Sequence, residues 1–446
     1  MKREFGKYVS LNIFGMLGLS CYILADTFFV SAKMGADGLT ALNLAISIYS
    51  FINGTGLMIG IGGGTKYSIY RSRREEEKGN RVFTAALVMG FLIGIILFAV
   101  GILAARPLSI LLGAEGKIIE MTTVYLRTIL CFSPCFICNN IFLAFVRNDA
   151  NPRLSMTGML VGSFSNVVLD YIFIFPADMG MFGAAFATGL APVISMLILS
   201  RHKFSGKNGF HLQTDGSFWR YVKGIPGLGA SSFINEVSSG VVLIVLNLLI
   251  LGISGNTGVA AYGVIANLAL VALSIFTGIS QGSQPLLSKY YGEGNDAKVR
   301  EIYRYMVILA LAVGVFLVLT AFFATDSLIA VFNSEGNKEL ARIAHTGLRI
   351  YFLGFLAAGV NIVTAACKGA LEQAGESFLI SVMRGLICIV IYAAVLSKLF
   401  GMTGIWTAFP ATEATTLLLS VFFVWRRKNP FSRQTIYAIV NKKMKK

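Results

Sequence analysis

Long apolar stretches recur along the whole chain and are separated by short polar segments. A helix needs about 20 largely apolar residues to cross the hydrocarbon core of a membrane. Twelve stretches reach that length: 8–31, 44–65, 82–105, 118–146, 154–176, 181–200, 224–252, 258–287, 305–325, 345–368, 378–399 and 402–425. The pattern predicts an all-α, polytopic membrane protein with twelve transmembrane helices.

The composition supports this prediction. Of 446 residues, 55% are hydrophobic and only 13% are charged, against about 25% charged residues in soluble domains. A soluble fold of this length could not bury so much apolar surface, whereas in a bilayer lipid solvates the outer apolar faces. The net charge of +16 lies mainly in the segments between apolar stretches, so we attribute it to membrane topology and expect no nucleic acid partner.

The basic residues also predict the orientation. With the N-terminus inside, the cytoplasmic segments carry 30 of the 38 Lys and Arg residues and the opposite side carries 8. Because positive charge accumulates on the cytoplasmic side, both termini are expected in the cytoplasm. The even number of helices agrees with this orientation.

The two halves of the chain resemble each other. Three pairs of short motifs recur in the same order at offsets of 218, 222 and 221: they begin at Gly60 and Gly278, at Leu126 and Leu348, and at Gly180 and Gly401. The repeat predicts two parallel six-helix bundles, related by a pseudo-two-fold axis along the membrane normal. The expected parts are the bundles 1–200 and 224–426, a cytoplasmic linker 201–223 and a basic cytoplasmic tail 427–446. Paired bundles around a central cleft are typical of secondary transporters.

Four acids lie inside predicted spans, namely Asp26, Asp170, Glu236 and Glu413, and none has an obvious basic partner at the same depth. A charge in a span costs roughly 2.5–3.5 kcal/mol on insertion scales, so each acid is a functional candidate. Such a carboxyl group suits a site that binds and releases H⁺, or Na⁺ once it is ionised.

Polar residues of the first half can complete such a site. Asn166 precedes Asp170 by four residues and shares its helix face. Asn139 and Asn140 interrupt the fourth helix and Thr188 lies in the sixth, so these residues can cluster with Asp26. The alternative is that Asn and Thr only join helices, at about 0.6 kcal/mol per contact.

Several other mechanisms lack their motifs. No phosphate-binding loop with the required spacing occurs, which argues against an ATP-driven pump, and no metalloprotease motif occurs. We expect no enzyme, no cofactor and no metal site, apart from possible Na⁺ binding at Asp26 and Asp170.

Three segments resemble the signatures of a known family. They are AFVRNDANPRLSM from Ala144, NVVLDYIFIF followed by GMFGAAFATG, and GISQGSQPLLSKYYGEGN from Gly278. Together they resemble the multidrug and toxic compound extrusion (MATE) family, in its bacterial DinF/MepA-like branch. The resemblance covers nearly the whole chain.

The resemblance implies two six-helix bundles in a V shape and antiport driven by H⁺ or Na⁺. It assigns the cation site of the N-terminal bundle to Asp26, Asn140, Asn166, Asp170 and Thr188. The position of Asn140 is shared with the adjacent Asn139, which stays an alternative.

The resemblance is weaker in the second half. Glu236 falls where many members carry an acid in the seventh helix, but the tenth helix offers only Asn361, which argues against a second Na⁺ site. Glu413 matches no motif. We place Glu236, Glu413 and Asn361 in the substrate cleft as a prediction.

The resulting hypothesis is a cation-coupled secondary antiporter, using H⁺ rather than Na⁺, that exports amphipathic and often cationic organic compounds. It is expected as a monomer in the inner (cytoplasmic) membrane of a bacterium. One alternative is a flippase for lipid-linked oligosaccharides or other lipids from the same superfamily. A membrane enzyme or receptor is the other.

Overall fold

The computed structural model of the chain describes residues 1–213, 216–332 and 336–426, which excludes the predicted tail 427–446. The fold is 90% helical, without strands in these ranges. The helices are α1 (Lys2–Ser72), α2 (Glu76–Leu111), α3 (Lys117–Cys131), α4 (Ser133–Asn148), α5 (Pro152–Ile174), α6 (Gly180–Ser200), α7 (Trp219–Val222), α8 (Ile225–Gly292), α9 (Asp296–Phe323), α10 (Thr325–Phe332), α11 (Lys338–Phe352), α12 (Phe355–Ala370), α13 (Ala374–Val382) and α14 (Cys388–Trp425).

Three helices are too long for a single membrane span. At 1.5 Å per residue, the 71 residues of α1 would reach about 107 Å, against about 30 Å of hydrocarbon. Each of the three long helices contains one glycine with left-handed backbone: Gly35 in α1, Gly255 in α8 and Gly401 in α14, with φ of 62°, 60° and 57°. Glycine adopts this conformation without a Cβ clash, so each of these glycines breaks its helix. The breaks divide α1 and α8 into two spans each, and Gly401 divides the apolar run Ala374–Trp425, which contains α13 and α14, into two spans.

The helices account for twelve spans. Seven described helices or runs of helices are long and apolar enough to cross a membrane, and two pairs, α3 with α4 and α11 with α12, pass this test together although they are bent by 48° and 46°. Dividing α1, α8 and α14 at their glycines raises these nine to twelve. The predicted all-α fold and helix count are confirmed.

Turns with left-handed backbone repeat between the two halves. Five pairs occur in the same order, with φ between 54° and 72° and offsets of 220 to 222: Gly35 and Gly255, Arg74 and Gly294, Gly116 and Gly336, Ala150 and Glu372, Gly180 and Gly401. Non-glycine residues rarely adopt this conformation, yet Arg74, Ala150 and Glu372 do so at these positions. The recurrence of the same turns at the same spacing indicates that the two halves share one backbone topology. The internal repeat is therefore present in the fold as well as in the sequence.

Contacts group the chain into two compact units. The first unit comprises residues 10–237, and the second unit comprises Met1–Val9 and the chain from Ser238 onward. The chain passes from one unit to the other inside α1 and inside α8. The assignment of 1–200 and 224–426 to two transport bundles stays a prediction.

Much of the predicted linker is packed against the first unit. Phe210 contacts the rings of Tyr67, Phe83 and Phe145, with centroid distances of 6.0, 4.5 and 6.0 Å. The backbone N–H of Gln213 donates to Thr84 Oγ1 at 2.9 Å. This part of the linker thus belongs to the folded first unit.

A buried carboxylate fixes the start of the same segment. Asp149 is fully buried and accepts hydrogen bonds from the Tyr67 hydroxyl at 2.6 Å and from the Gly209 N–H at 2.7 Å. His202 Nε2 lies 2.7 Å from Asp149 Oδ2, which also accepts from Gly209, and Arg71 forms an ion pair with Oδ1. Because all these partners satisfy Asp149, it is a structural anchor and differs from the acids described next.

Candidate functional site

Two acids of the first unit lie in the interior of different helices. Asp26 is in α1 and Asp170 is in α5, and their side chains are 7% and 0% exposed. They are close enough for their charges to interact. The helical spacing of four residues places Asn166, also fully buried, on the same face as Asp170.

The side chain of Asn166 joins Asp170 to α6. In the amide orientation that satisfies both of its neighbours, Asn166 donates to Asp170 Oδ2 at 3.0 Å and accepts from the backbone N–H of Thr188 at 3.2 Å. The Thr188 hydroxyl donates to the carbonyl oxygen of Ala184 at 3.0 Å. The structure therefore brings Asn166, Asp170 and Thr188 into direct contact, with Asp26 nearby.

Each acid keeps one oxygen without a partner. Asp26 Oδ1 and Asp170 Oδ1 are buried and accept no hydrogen bond within the described ranges. No Lys or Arg of those ranges forms an ion pair with either residue. A buried carboxylate without a counter-charge is costly and binds a proton or a cation instead.

Three tyrosines surround this pair and were missed by the sequence reasoning. The hydroxyls of Tyr22 and Tyr49 are 2.7 Å apart, and Tyr125 is buried and interacts electrostatically with both acids. Tyr22 precedes Asp26 by four residues, so the helical spacing could have identified it.

Asn140 lies in a second polar chain of the same unit. Its Nδ2 donates to Asn53 Oδ1 and Asn53 Nδ2 donates to Glu236 Oε1, each at 2.9 Å. Asn140 also donates to the carbonyl oxygen of Phe136 at 3.1 Å. The structure thus connects Asn140 to Glu236 through Asn53, a residue that the sequence analysis did not select.

Glycines bring the first turns of α8 close to α1. A Cβ at Gly62 would collide with the carbonyl oxygen of Ile225, and one at Gly229 would collide with that of Met58. A Cβ at Gly54 would lie 3.3 Å from Cβ of Glu236. Small residues permit this close helix packing, which places Glu236 beside α1.

In the second unit, Glu413 has a basic partner, so the prediction that it has none is wrong. Arg384 Nε lies 2.7 Å from Glu413 Oε1, and the two side chains are 12% and 1% exposed. Arg384 lies inside the predicted span 378–399, near its cytoplasmic end, and nothing in the sequence pattern paired it with Glu413.

Asn361 is hydrogen-bonded to the acid of this ion pair. Its Nδ2 donates to Glu413 Oε2 at 2.8 Å and to the Glu413 carbonyl oxygen at 2.9 Å, while its Oδ1 accepts from Ser420 at 2.9 Å. Arg384 lies in a π-helical turn, Met383–Ile387, between α13 and α14. Such turns occur often at functional sites.

Comparisons with known proteins agree with this architecture. The MatE family model matches residues 12–172 and 232–397. The two matches begin 220 residues apart, which is the offset of the repeated turns. One family model therefore describes both halves of the chain.

The chain is similar to curated multidrug export proteins and to solved structures. It is 26% identical to the multidrug export protein MepA of Staphylococcus saprophyticus over 91% of this chain and 89% of that protein. The structure of MATE in complex with MaL6 has a TM-score of 0.88 and 21% identity, covering 95% of both chains.

A second solved structure shows the same fold. It is the outward-facing conformation of a multidrug resistance MATE family transporter of the MOP superfamily, with a TM-score of 0.87 and 21% identity over 95% of this chain and 94% of that one. The resemblance seen in the sequence is confirmed. The chain belongs to the MatE family of multidrug efflux transporters, which are multi-pass membrane proteins and not enzymes.

Proposed function

We propose that the chain is a cation-coupled antiporter that exports amphipathic, often cationic organic compounds. One observation carries this proposal: Asp26 and Asp170 are buried neighbours, each with an oxygen that has no partner in the described part of the chain. A transporter that exchanges an ion for its substrate needs such an uncompensated acid. A purely structural acid, such as Asp149, has its partners in place.

We propose H⁺ as the coupling ion. Two buried carboxylates whose charges interact do not both ionise easily, so we expect at least one of them to hold a proton during the transport cycle. Acid outside would load the site, and the higher pH of the cytoplasm would empty it. The bound ion must favour one conformation over the other, since a ligand that binds both equally shifts nothing.

We infer the orientation from the basic residues, of which 30 of 38 fall on the side of the N-terminus. Both termini then lie in the cytoplasm, and Asp26 and Asp170 lie in the outer halves of their spans. A pH gradient across the cell membrane can reach acids at that depth from outside.

We assign recognition of cationic substrates to Glu236. The hydrogen bond from Asn53 fixes its carboxylate beside α1, and relatives such as MepA are named multidrug export proteins. Glu236→Gln should weaken export of cationic compounds more than export of neutral ones. Equal loss for both classes would count against this role.

The coupling proposal is tested by drug efflux from cells or proteoliposomes in which the pH and Na⁺ gradients are varied separately. Asp26→Asn and Asp170→Asn should each abolish gradient-driven export while the protein still folds and binds drug. Asp37→Asn, which changes an exposed acid of α1, is the matched control and should pump normally. Wild-type rates in both of the first two variants would refute coupling at this site, and dependence on Na⁺ alone would replace H⁺ as the ion.

A further inference from the structure

The second unit contains a set of groups like the proposed coupling site, but with a cation already in place. In the first unit an acid, an asparagine and a hydroxyl residue come together as Asp170, Asn166 and Thr188. In the second unit the same three kinds of side chain come together as Glu413, Asn361 and Ser420.

The acids of the two sets differ in their partners. Both carboxylate oxygens of Glu413 are engaged, Oε1 with the Arg384 guanidinium at 2.7 Å and Oε2 with Asn361 at 2.8 Å. Asp170 keeps Oδ1 without a partner among the described residues. The position that a mobile ion could take at Glu413 is thus filled by the chain itself.

Among the residues that the structure describes, the surroundings of Glu413 supply no other positive charge to replace Arg384. The groups near it with titratable protons are the Tyr351 hydroxyl on α11 and the Cys388 thiol at the start of α14, which both interact with its charge. Asn361 on α12 and Arg384 in the π-helical turn complete its neighbours. Only Arg384 among these four carries a positive charge.

We propose that the Arg384 guanidinium acts as a tethered cation in the acid site of the second unit, so that Glu413 takes up neither H⁺ nor Na⁺ during transport. This inference rests on the proposed cation coupling and deepens it, because it confines the coupling ion to the first unit. It also replaces the predicted substrate role of Glu413 and Asn361, since a carboxylate that is 1% exposed with both oxygens engaged is not available to a drug.

Removal of Arg384 should create a new ion site. In Arg384→Gln, Glu413 would be a buried anion without a counter-charge, which must then bind a proton or Na⁺. Melting temperatures in detergent are measured at pH 6 and pH 8, in NaCl or choline chloride. The background is Asp26→Asn with Asp170→Asn, so that the first unit contributes no response.

In this background we expect Arg384→Gln to melt several degrees higher at pH 6 than at pH 8, or higher in NaCl than in choline chloride at pH 8. The parent should show no such difference. The double change Arg384→Gln with Glu413→Gln should abolish the response. A response equal to the parent's, or one that survives in the double variant, would overturn the proposal.

The Lys368–Glu376 ion pair provides a matched control in the same unit. Its atoms are 2.9 Å apart, but Glu376 is 17% exposed, so water can reach the carboxylate once Lys368 is removed. Lys368→Gln should therefore change stability without the new dependence on pH or Na⁺. The same dependence in this variant would show a general loss of packing and would also contradict the proposal.

A transport assay tests the inference independently, and it can be used even if Arg384→Gln alone does not fold. With Asp26 and Asp170 intact, the neutral pair of Arg384→Gln with Glu413→Gln should keep export driven by the pH gradient, within about threefold of wild type. Loss of coupling with export down the drug's own gradient retained would place Glu413 in the coupling mechanism and sink the inference. Failure of the coupling proposal for the first unit would give a different result. Asp170→Asn would then export drug at the wild-type rate, while the melting temperatures of the Arg384 variants would be unaffected.

Discussion

Asp170 and Glu413 are both buried carboxylates beside an asparagine, yet their environments differ in one respect. Glu413 is neutralised by Arg384 at 2.7 Å, whereas Asp170 has an oxygen without a partner in the part of the chain that the structure describes. Burial alone therefore does not identify a coupling acid. The presence or absence of a counter-charge separates a fixed acid from one that can exchange an ion.

The acids of the two sites do not lie at equivalent positions of the repeat. With the offsets of the repeated turns, Asp26 and Asp170 correspond to Leu246 and Tyr392, at 220 and 222 residues. Glu413 corresponds to Pro192 at an offset of 221. The two halves share their backbone turns but not the positions of these acids.

The largest expected effect follows from changing each acid to its amide. Glu413→Gln leaves the Arg384 cation buried without its counter-charge, which should lower the free energy of unfolding by about 3–5 kcal/mol. Asp170→Asn replaces an acid that has no cation partner, and that is neutral when it holds its proton, by an amide of the same shape. Its free energy of unfolding should therefore change by less than about 1 kcal/mol. Reversible unfolding in detergent measures both, and equal losses would remove the distinction between the two sites.

The two asparagines provide a second and smaller contrast. Asn361→Leu removes two hydrogen bonds to Glu413 and should cost about 2–3 kcal/mol, since bonds to charged groups are worth about 1.5–3 kcal/mol. Asn166→Leu removes one bond to Asp170 and should cost about 1 kcal/mol. Their effects on transport should be reversed.

Efflux assays in a pH gradient test that reversal. Asn166→Leu should impair coupling because it disturbs the ion site, and Asn361→Leu should keep coupling at equal expression. If Asn361→Leu uncoupled the transporter and Asn166→Leu did not, the roles of the two sets would be exchanged.

The sequence predicted the helices, their number and the repeat well, because hydrophobic length and turn chemistry are local properties. It also brought Asn166, Asp170 and Thr188 together, partly through the spacing of four residues on α5. Contacts between distant segments were harder to predict. Nothing local indicates that Arg384 meets Glu413, or that Asn53 stands between Asn140 and Glu236, because these contacts depend on helix packing.

The smallest effect is expected at an ion pair of nearly the same length in a different environment. Lys33 Nζ lies 2.8 Å from Asp178 Oδ1, but the side chains are 36% and 74% exposed. Exposed pairs contribute little because water and salt screen them. The hydrogen bond and charge of Lys33 lower the pKa of Asp178, so its stabilising effect is complete above the unfolded pKa of about 3.9 and is lost only as the pH falls through the lowered value. Asp178→Asn should therefore lower the melting temperature only slightly, by the same amount at pH 6 and at pH 8, and keep export intact. A loss of stability like that of Glu413→Gln would show that ion-pair distance, and not burial, sets the difference between these carboxylates.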